Sequence, residues 1–422
     1  MKRVSLAHSF LGLGLLLTPF PALAQTAPPT APLQTPAANF QPLLAFEVGG
    51  PATARRVQGA LASASPGVPT PLSVTVPRQV TGDALRLIAE RRFDPPSAAR
   101  ALALTLSAVH DVQGLAQASG RTVDTDTAAQ VAATRVLMVL FPADAAKLAR
   151  DLTARLRPLP PATDRASWAL GDAVAAGVLA FAAQDGAAQA QQGGVLATGE
   201  GLWEPLNGQH PLEPGWGRVS PIGLNRQNLP RVAPPPAWNS PEFAQDRADF
   251  AEQQTRLTAQ DLALAHHWAA GVGTVTPLGM WMEEALRQGE QARLGGPELT
   301  RLLTLTAVAG HNAFISCWQA KFEYNVARPQ SWLTRQQAGW SPALPTPPFP
   351  SYPSGHATVS GAAAEVLAQF FPLQARQLRQ QADAAAFSRV VGGIHWSVDG
   401  SAGLDAGQRV AQALLNLPTA QP

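Results

Sequence analysis

Cysteine is almost missing from this chain. Cys317 is the only one in 422 residues, so no internal disulfide can form and stability must come from the core. Cys317 sits in the apolar run Ala313-Phe314-Ile315-Ser316-Cys317-Trp318 and reads as a small buried hydrophobe. Aromatic residues are few, at 6%, although ten of them are Trp. An excess of one charge is also lacking: 31 basic residues face 29 acidic ones, and loss of a leader carrying Lys2 and Arg3 leaves 29 of each. A balance near zero argues against nucleic acid or anionic membranes as general partners. Beyond the leader no apolar run of ~18 or more residues is evident, which argues against a membrane span in the mature chain. Strand-like alternation is sparse, and no internal repeat stands out. No HExxH accompanies His266 and His267, which diverge as helix neighbours, so a zinc site is disfavoured.

What is present points to helices. Hydrophobic residues make up 46% of the chain, and 39 prolines punctuate it with rigid loops. Lys2-Arg3, the apolar stretch Leu11 to Leu17 and Ala22-Leu23-Ala24 form a secretory signal over residues 1–24. The expectation is an exported protein, periplasmic or extracellular. Residues 25–77 read as a flexible or irregular lead-in. An N-terminal helical region follows over 78–240, with apolar residues at three- and four-residue spacing near 82–91, 96–118, 125–141, 143–155 and 164–184. Residues 185–240, rich in Gly and Pro, form a long irregular segment. Helical spacing resumes near 241–256, 258–270, 277–288, 297–320, 355–371, 373–391 and 395–416, making 241–422 a second helical bundle. The expected fold class is all-α, a multi-helix arrangement of two packed bundles.

Three motifs carry chemistry. In Lys321-x6-Arg328-Pro329 the spacing is close to two helical turns, so on one helix both cations share a face about 10 Å apart. Pro329 ends such a run, placing Arg328 at a helix end or in the loop beyond. Two converging cations suit a dispersed anion, but alone such a pair is usually a solvated face. Pro353-Ser354-Gly355-His356 precedes an apolar helix and sets a hydroxyl, an unobstructed amide and an imidazole at its N-terminus, where an anion is favoured. An ordinary Ser354 N-cap fits this motif as well. In Ser388-Arg389-x5-His395-x3-Asp399, the carboxylate four residues on can hold one ring nitrogen and leave the other poised. Arg389 and His395 diverge by about 120° on a continuous helix. Gly392-Gly393 lets the backbone bend so that both face one point.

Together, K-x6-R-P, P-S-G-H and S-R-x5-H-x3-D resemble the signature of the vanadium haloperoxidase and acid phosphatase superfamily, which includes the type 2 phosphatidic acid phosphatases. The resemblance covers roughly residues 255–410. Pro95-Pro96-x3-Arg100 and the helix to His110-Asp111 resemble the first helices of exported haloperoxidase-like relatives. The resemblance implies that Lys321, Arg328, Ser354, the Gly355 amide and Arg389 bind the oxygens of vanadate or phosphate. It implies that His356 is the acid–base residue, His395 the axial ligand of vanadate and Asp399 its orienting partner. Trp318 and Phe349 resemble aromatics lining the halide pocket of the chloroperoxidase-like branch; both also fit a helix-bundle core. The implied activity is vanadate-dependent oxidation of halide by peroxide. The alternative is a soluble acid phosphatase acting on phosphate monoesters through a phosphohistidine at His395. One departure stands out: the segment Ala265 to Trp281 resembles a family stretch that often carries an Asp near Ala270 and a His near Met280, and neither is present.

Overall fold

The computed structural model describes residues 50–417 apart from 195 and 207, so the expected signal and the first part of the lead-in lie outside the described residues. Capping chemistry sets most of the helix boundaries. In the N-terminal half these are α1 (Gly50–Ala62), α2 (Thr75–Glu90), α3 (Pro95–Ser119), α4 (Thr125–Leu140), α5 (Ala145–Arg155) and α6 (Pro161–Ala182). Asp94 accepts the Ser97 amide at 2.9 Å ahead of Pro95, and Asp124 accepts the Thr127 amide at 2.9 Å; these caps start α3 and α4. In the second half follow α7 (Pro241–Thr255), α8 (Ala259–His267), α9 (Thr276–Gln291), α10 (Gly296–Tyr324), α11 (Pro329–Gln336), α12 (Gly355–Phe370), α13 (Ala375–Val391) and α14 (Ser397–Leu415). Ser240 caps α7, Thr258 and Asp261 form a capping box on α8, and Ser354 caps α12.

Among the described residues there is no strand, only isolated bridges such as Leu202 to Val326, so the all-α expectation holds. Two helices fall where the sequence reading had none. Helix α1 lies within the stretch read as an irregular lead-in, its Val57 and Ala60 buried in the core. Helix α11 begins at Pro329, which therefore opens a helix besides lying beyond the end of one. One stretch, Pro161–Gln189, is long and apolar enough to cross a membrane by length and composition alone. Just over half of its most apolar part is buried, because the Ala- and Gly-rich α6 packs on α4, α1 and α3.

Helix α10 organises the molecule. It is 29 residues long and buried nearly all round, packing on α3, α12, α14 and α9. Its own polar side chains pin the irregular segment that runs beside it. Asn312 exchanges hydrogen bonds with Ile222 N and O at 2.9 and 2.8 Å, and Ser316 Oγ donates to Pro230 O at 2.6 Å. Helices α12 and α14 approach closely because glycines line the contact: a Cβ on Gly407 would lie 2.0 Å from Thr358 O, and one on Gly361 2.4 Å from Leu404 O. One hydrophobic cluster runs from Val57 to Leu414. A second gathers Phe243, Phe250, Leu333, Tyr352 and Trp396 between α7, α11 and the start of α14. The site lies where these two cores meet.

Candidate active site

The described structure brings the three motifs together, though not by the local geometry expected of each. Helix α10 stops at Tyr324 because Asn325 takes the left-handed conformation, φ 50°. Lys321 and Arg328 therefore do not share a helix face: Lys321 points from the last turn of α10, and Arg328 returns from the segment before α11. Gly392 and Gly393 likewise do not bend a helix but end one. Gly393 has φ +79°, and Ile394 N donates back to Arg389 O at 3.1 Å, which reverses the chain between Arg389 and His395. His395 precedes α14, and Asp399 sits in its first turn.

Every charged member is buried. Arg328 donates from Nε to Phe349 O at 2.9 Å and from Nη1 to Ile394 O at 2.7 Å, with Nη1 also 2.9 Å from His395 Nε2. Its Nη2 is buried with no partner. Arg389 donates from Nη1 to Trp268 O at 2.9 Å, and its Nε is buried with no partner. Burial pulls both guanidinium groups down to about 9; for Arg389 the nearby Arg328 adds to the shift. Lys321 Nζ donates to Pro350 O, Ser351 O and Pro353 O at 2.8, 2.9 and 2.6 Å, which uses all three of its protons. These bonds anchor the loop carrying Ser354, Gly355 and His356 on the Lys321 ammonium. Burial lowers this ammonium to about 7.

The histidines are neutral. Asp399 Oδ2 receives Nδ1–H of His395 at 2.8 Å, Ser351 Oγ at 2.5 Å and the Trp396 amide at 3.0 Å. This leaves His395 Nε2 as the lone-pair nitrogen, facing Arg328. Burial, then Arg328, Lys321, Arg389 and His356, hold His395 well below the usual imidazole range. His356 is held low chiefly by burial, then by Arg389, while hydrogen bonds to the backbone of Ala269 and Trp268 act the other way. Its Nε2 is sealed from solvent without a partner. Burial raises Asp399 to about 7 against the three donors that favour its charge.

Ser354 Oγ accepts the Ala357 amide at 3.4 Å, so Ser354 is an N-cap, and Gly355 and His356 supply the first amides of α12. A Cβ on Gly355 would sit 3.4 Å from Trp318, which lies beneath the helix start. Trp318 and Phe349 have ring centroids 4.9 Å apart and belong to the core. They also flank the cations: Lys321 Nζ lies 5.0 Å from the Phe349 centroid and 5.7 Å from that of Trp318, and Arg328 lies 4.9 Å from Phe349.

Three contributors escaped the sequence reading. Ser351 hydrogen-bonds Asp399; a serine three before Ser354 in a proline-rich loop gives no distinctive signal. Asp246 on α7 accepts the Ser397 and Val398 amides at 3.2 and 3.1 Å, fixing the start of α14. Trp268 acts through its carbonyl, which side-chain patterns do not encode. That carbonyl accepts from Arg389 Nη1, in the segment where no acid stands near Ala270.

Three buried cations against one carboxylate, with buried polar atoms left over, form a cluster whose chemistry suits an oxyanion, within an all-helical fold. The sequence model of the PAP2 superfamily matches residues 299–421. Over 109 residues, 21% of this chain, the sequence is 33% identical to vanadium chloroperoxidase of Curvularia inaequalis; the match spans 17% of that protein. The fold is similar to a crystal structure described as the first bacterial vanadium-dependent iodoperoxidase, with TM-score 0.73 and 23% identity over 83% of this chain and 98% of the other. It is also similar to the apo form of a bacterial vanadium-dependent chloroperoxidase, with TM-score 0.56 and 15% identity over 69% and 82% of the two chains. The resemblance drawn from the three motifs is borne out, and with it the helical haloperoxidase-type fold.

Proposed function

We propose that this chain is an exported, vanadate-dependent haloperoxidase-like enzyme that oxidises halide with hydrogen peroxide. The observation that carries the reading is the set of buried, unpartnered polar atoms at one place: Arg328 Nη2, Arg389 Nε and His356 Nε2. The two guanidinium N–H groups, desolvated and unpartnered, are costly unless an anion completes them, and the lone-pair nitrogen of His356 beside them is left to take a proton. Vanadate or phosphate fits this donor set. When bound, vanadate supplies a Lewis-acidic centre at which peroxide is activated.

The chain's own groups have separable tasks in this reading. Arg328 and Arg389 take the oxygens of the anion with their spare N–H groups, aided by the first amides of α12. Lys321 contributes charge and holds the 350–353 loop. Asp399 keeps the His395 proton on Nδ1, so that the Nε2 lone pair would be free to hold the group. His356, neutral without the anion, gains basicity beside a bound anion and moves a proton at the reacting oxygen. Trp318 and Phe349 form a dry wall beside the cations for the halide.

The same neutral His395, oriented by Asp399, also suits attack on phosphorus, with His356 protonating the leaving alcohol. This favours a phosphomonoesterase as the second reading. Protein loaded with orthovanadate and given peroxide and bromide is expected to brominate a dye. Absence of bromination, together with vanadate-inhibited hydrolysis of p-nitrophenyl phosphate, reverses the two readings. Full activity of a His395→Ala variant in either assay removes the site assignment itself.

A further inference from the structure

Ser351 is fully buried, and each of its hydrogen-bonding groups goes to a different part of the site. Its N–H donates to Val326 O at 2.9 Å, in the segment between Lys321 and Arg328. Its carbonyl accepts from Lys321 Nζ at 2.9 Å. Its hydroxyl donates to Asp399 Oδ2 at 2.5 Å, the length of a charge-assisted bond, and lies 3.5 Å from His395 Nδ1.

The three donors on Oδ2 are not equivalent. His395 Nδ1, at 2.8 Å, and the Trp396 amide, at 3.0 Å, lie four and three residues before Asp399 in the same chain segment. Neither can set the carboxylate against the rest of the site. Ser351 reaches it from 48 residues away, out of the loop that Lys321 holds. Oδ1 is buried with no partner, so the carboxylate is steadied at one oxygen only. Ser354 N donates to Asp399 O at 2.9 Å, and Trp396 Nε1 to Ala327 O at 2.8 Å. Those two bonds bring the segments together but leave the carboxylate free to turn.

We propose that Ser351 is a positioning residue whose hydroxyl fixes the Asp399–His395 pair in register with Lys321 and Arg328. His395 Nε2 is thereby set at the cation cluster, 2.9 Å from Arg328 Nη1. Ser351 acts through Asp399 and touches no reacting atom. Its effect on turnover rests on the reading given above; the register itself does not.

The first measurement is proton NMR of the full chain without added anion, following the Nδ1 proton of His395, identified by its loss in His395→Ala. Ser351→Ala should hasten exchange of that proton with water about tenfold, as loss of one hydrogen bond does. The second is turnover, in whichever of the two assays the parent shows. There kcat should fall about tenfold to a hundredfold, the usual effect of losing an outer partner of a site histidine, while KM holds within about twofold. Tyr352→Phe is the control: it removes a 2.7 Å bond from the same loop to Ala233 O, and should leave both readings at the parent's. Should Ser351→Ala not fold, Ser351→Cys, a weak donor of similar shape, should move both readings the same way. If the parent shows neither activity, the readings above fall and the exchange rate still decides this one. Unchanged exchange, an equal change in Tyr352→Phe, or a loss confined to KM overturns the inference.

Discussion

Asp399 concentrates the electrostatics of the site in one residue. Its Oδ2 takes three donors while Oδ1 is buried with none, and it is the carboxylate among three buried cations. Asp399→Asn keeps the shape but removes the charge that fixes the His395 proton on Nδ1. Turnover in either assay should fall on the order of 10³-fold or more, as for a misoriented imidazole in a catalytic triad. Binding of tungstate, a tetrahedral dianion that does not titrate near neutrality, should hold or tighten, because a negative charge has left. Equal losses in turnover and tungstate affinity would show that Asp399 serves only folding. A pH dependence follows from the same cluster. Burial brings Lys321 down to about 7 and Asp399 up to about 7, so a rise through neutrality removes a positive charge and adds a negative one. Tungstate affinity, followed calorimetrically, should therefore weaken at least tenfold between pH 6.5 and 8.5. Lys321→Met should flatten that profile; an unchanged slope would take Lys321 out of the anion's field. At this scale the side chains of the three motifs were readable because each is a charged or imidazole group at fixed spacing. Trp268 was not, since its contribution is a carbonyl, and Asp246 was not, since it lies about 150 residues from the helix it supports.

At the scale of elements, the site depends on where α12 and α14 begin, and that depends on how closely they pack. Gly407 is the tightest point of the contact, with Thr358 O only 2.0 Å from where a Cβ would stand. Gly407→Ala forces the two helices apart and should cost about 1–3 kcal/mol, as overpacking of a core does. It should also lower turnover, because Ser354-Gly355-His356 opens one helix and His395 lies just before the other. A thermal melt and a dye-bromination assay on the same sample check both, and a variant as stable and active as the parent would show that the contact yields freely. Most helices were readable from caps and apolar spacing. Helix α11 was not: it is eight residues long, and a proline that ends one helix is equally at home in the first turn of the next. The diglycine was read as a bend for the right purpose and the wrong geometry. Its positive φ at Gly393 ends α13, which turns the chain more sharply than a kink.

Across the whole molecule, the chemistry-bearing helices pack directly on the N-terminal half. Helix α10 carries Lys321 in its last turn, yet its middle lies on α3, where Thr304 Oγ1 donates to Leu106 O at 3.2 Å. Leu302, Leu303, Leu305 and Val308 are all buried, inside a cluster that extends from α1 to α14. The irregular segment before α7 is held by Asn312, Ser316 and Trp318 of the same helix, the last donating to Leu212 O at 3.2 Å. A fragment of residues 241–422 would retain all three motifs and lose Leu106, Leu212, Ile222 and Pro230 as hydrogen-bond partners, together with the α1–α6 side of the cluster. Exposing each large apolar side chain costs about 1.5–3 kcal/mol. Three or four together rival the 5–15 kcal/mol that typically holds a domain. The fragment should therefore lack near-ultraviolet circular dichroism and bind no tungstate, and the full chain should unfold calorimetrically in a single transition. A fragment that binds tungstate with native affinity would show that the motifs organise themselves, and that the N-terminal helices serve some purpose other than burying α10.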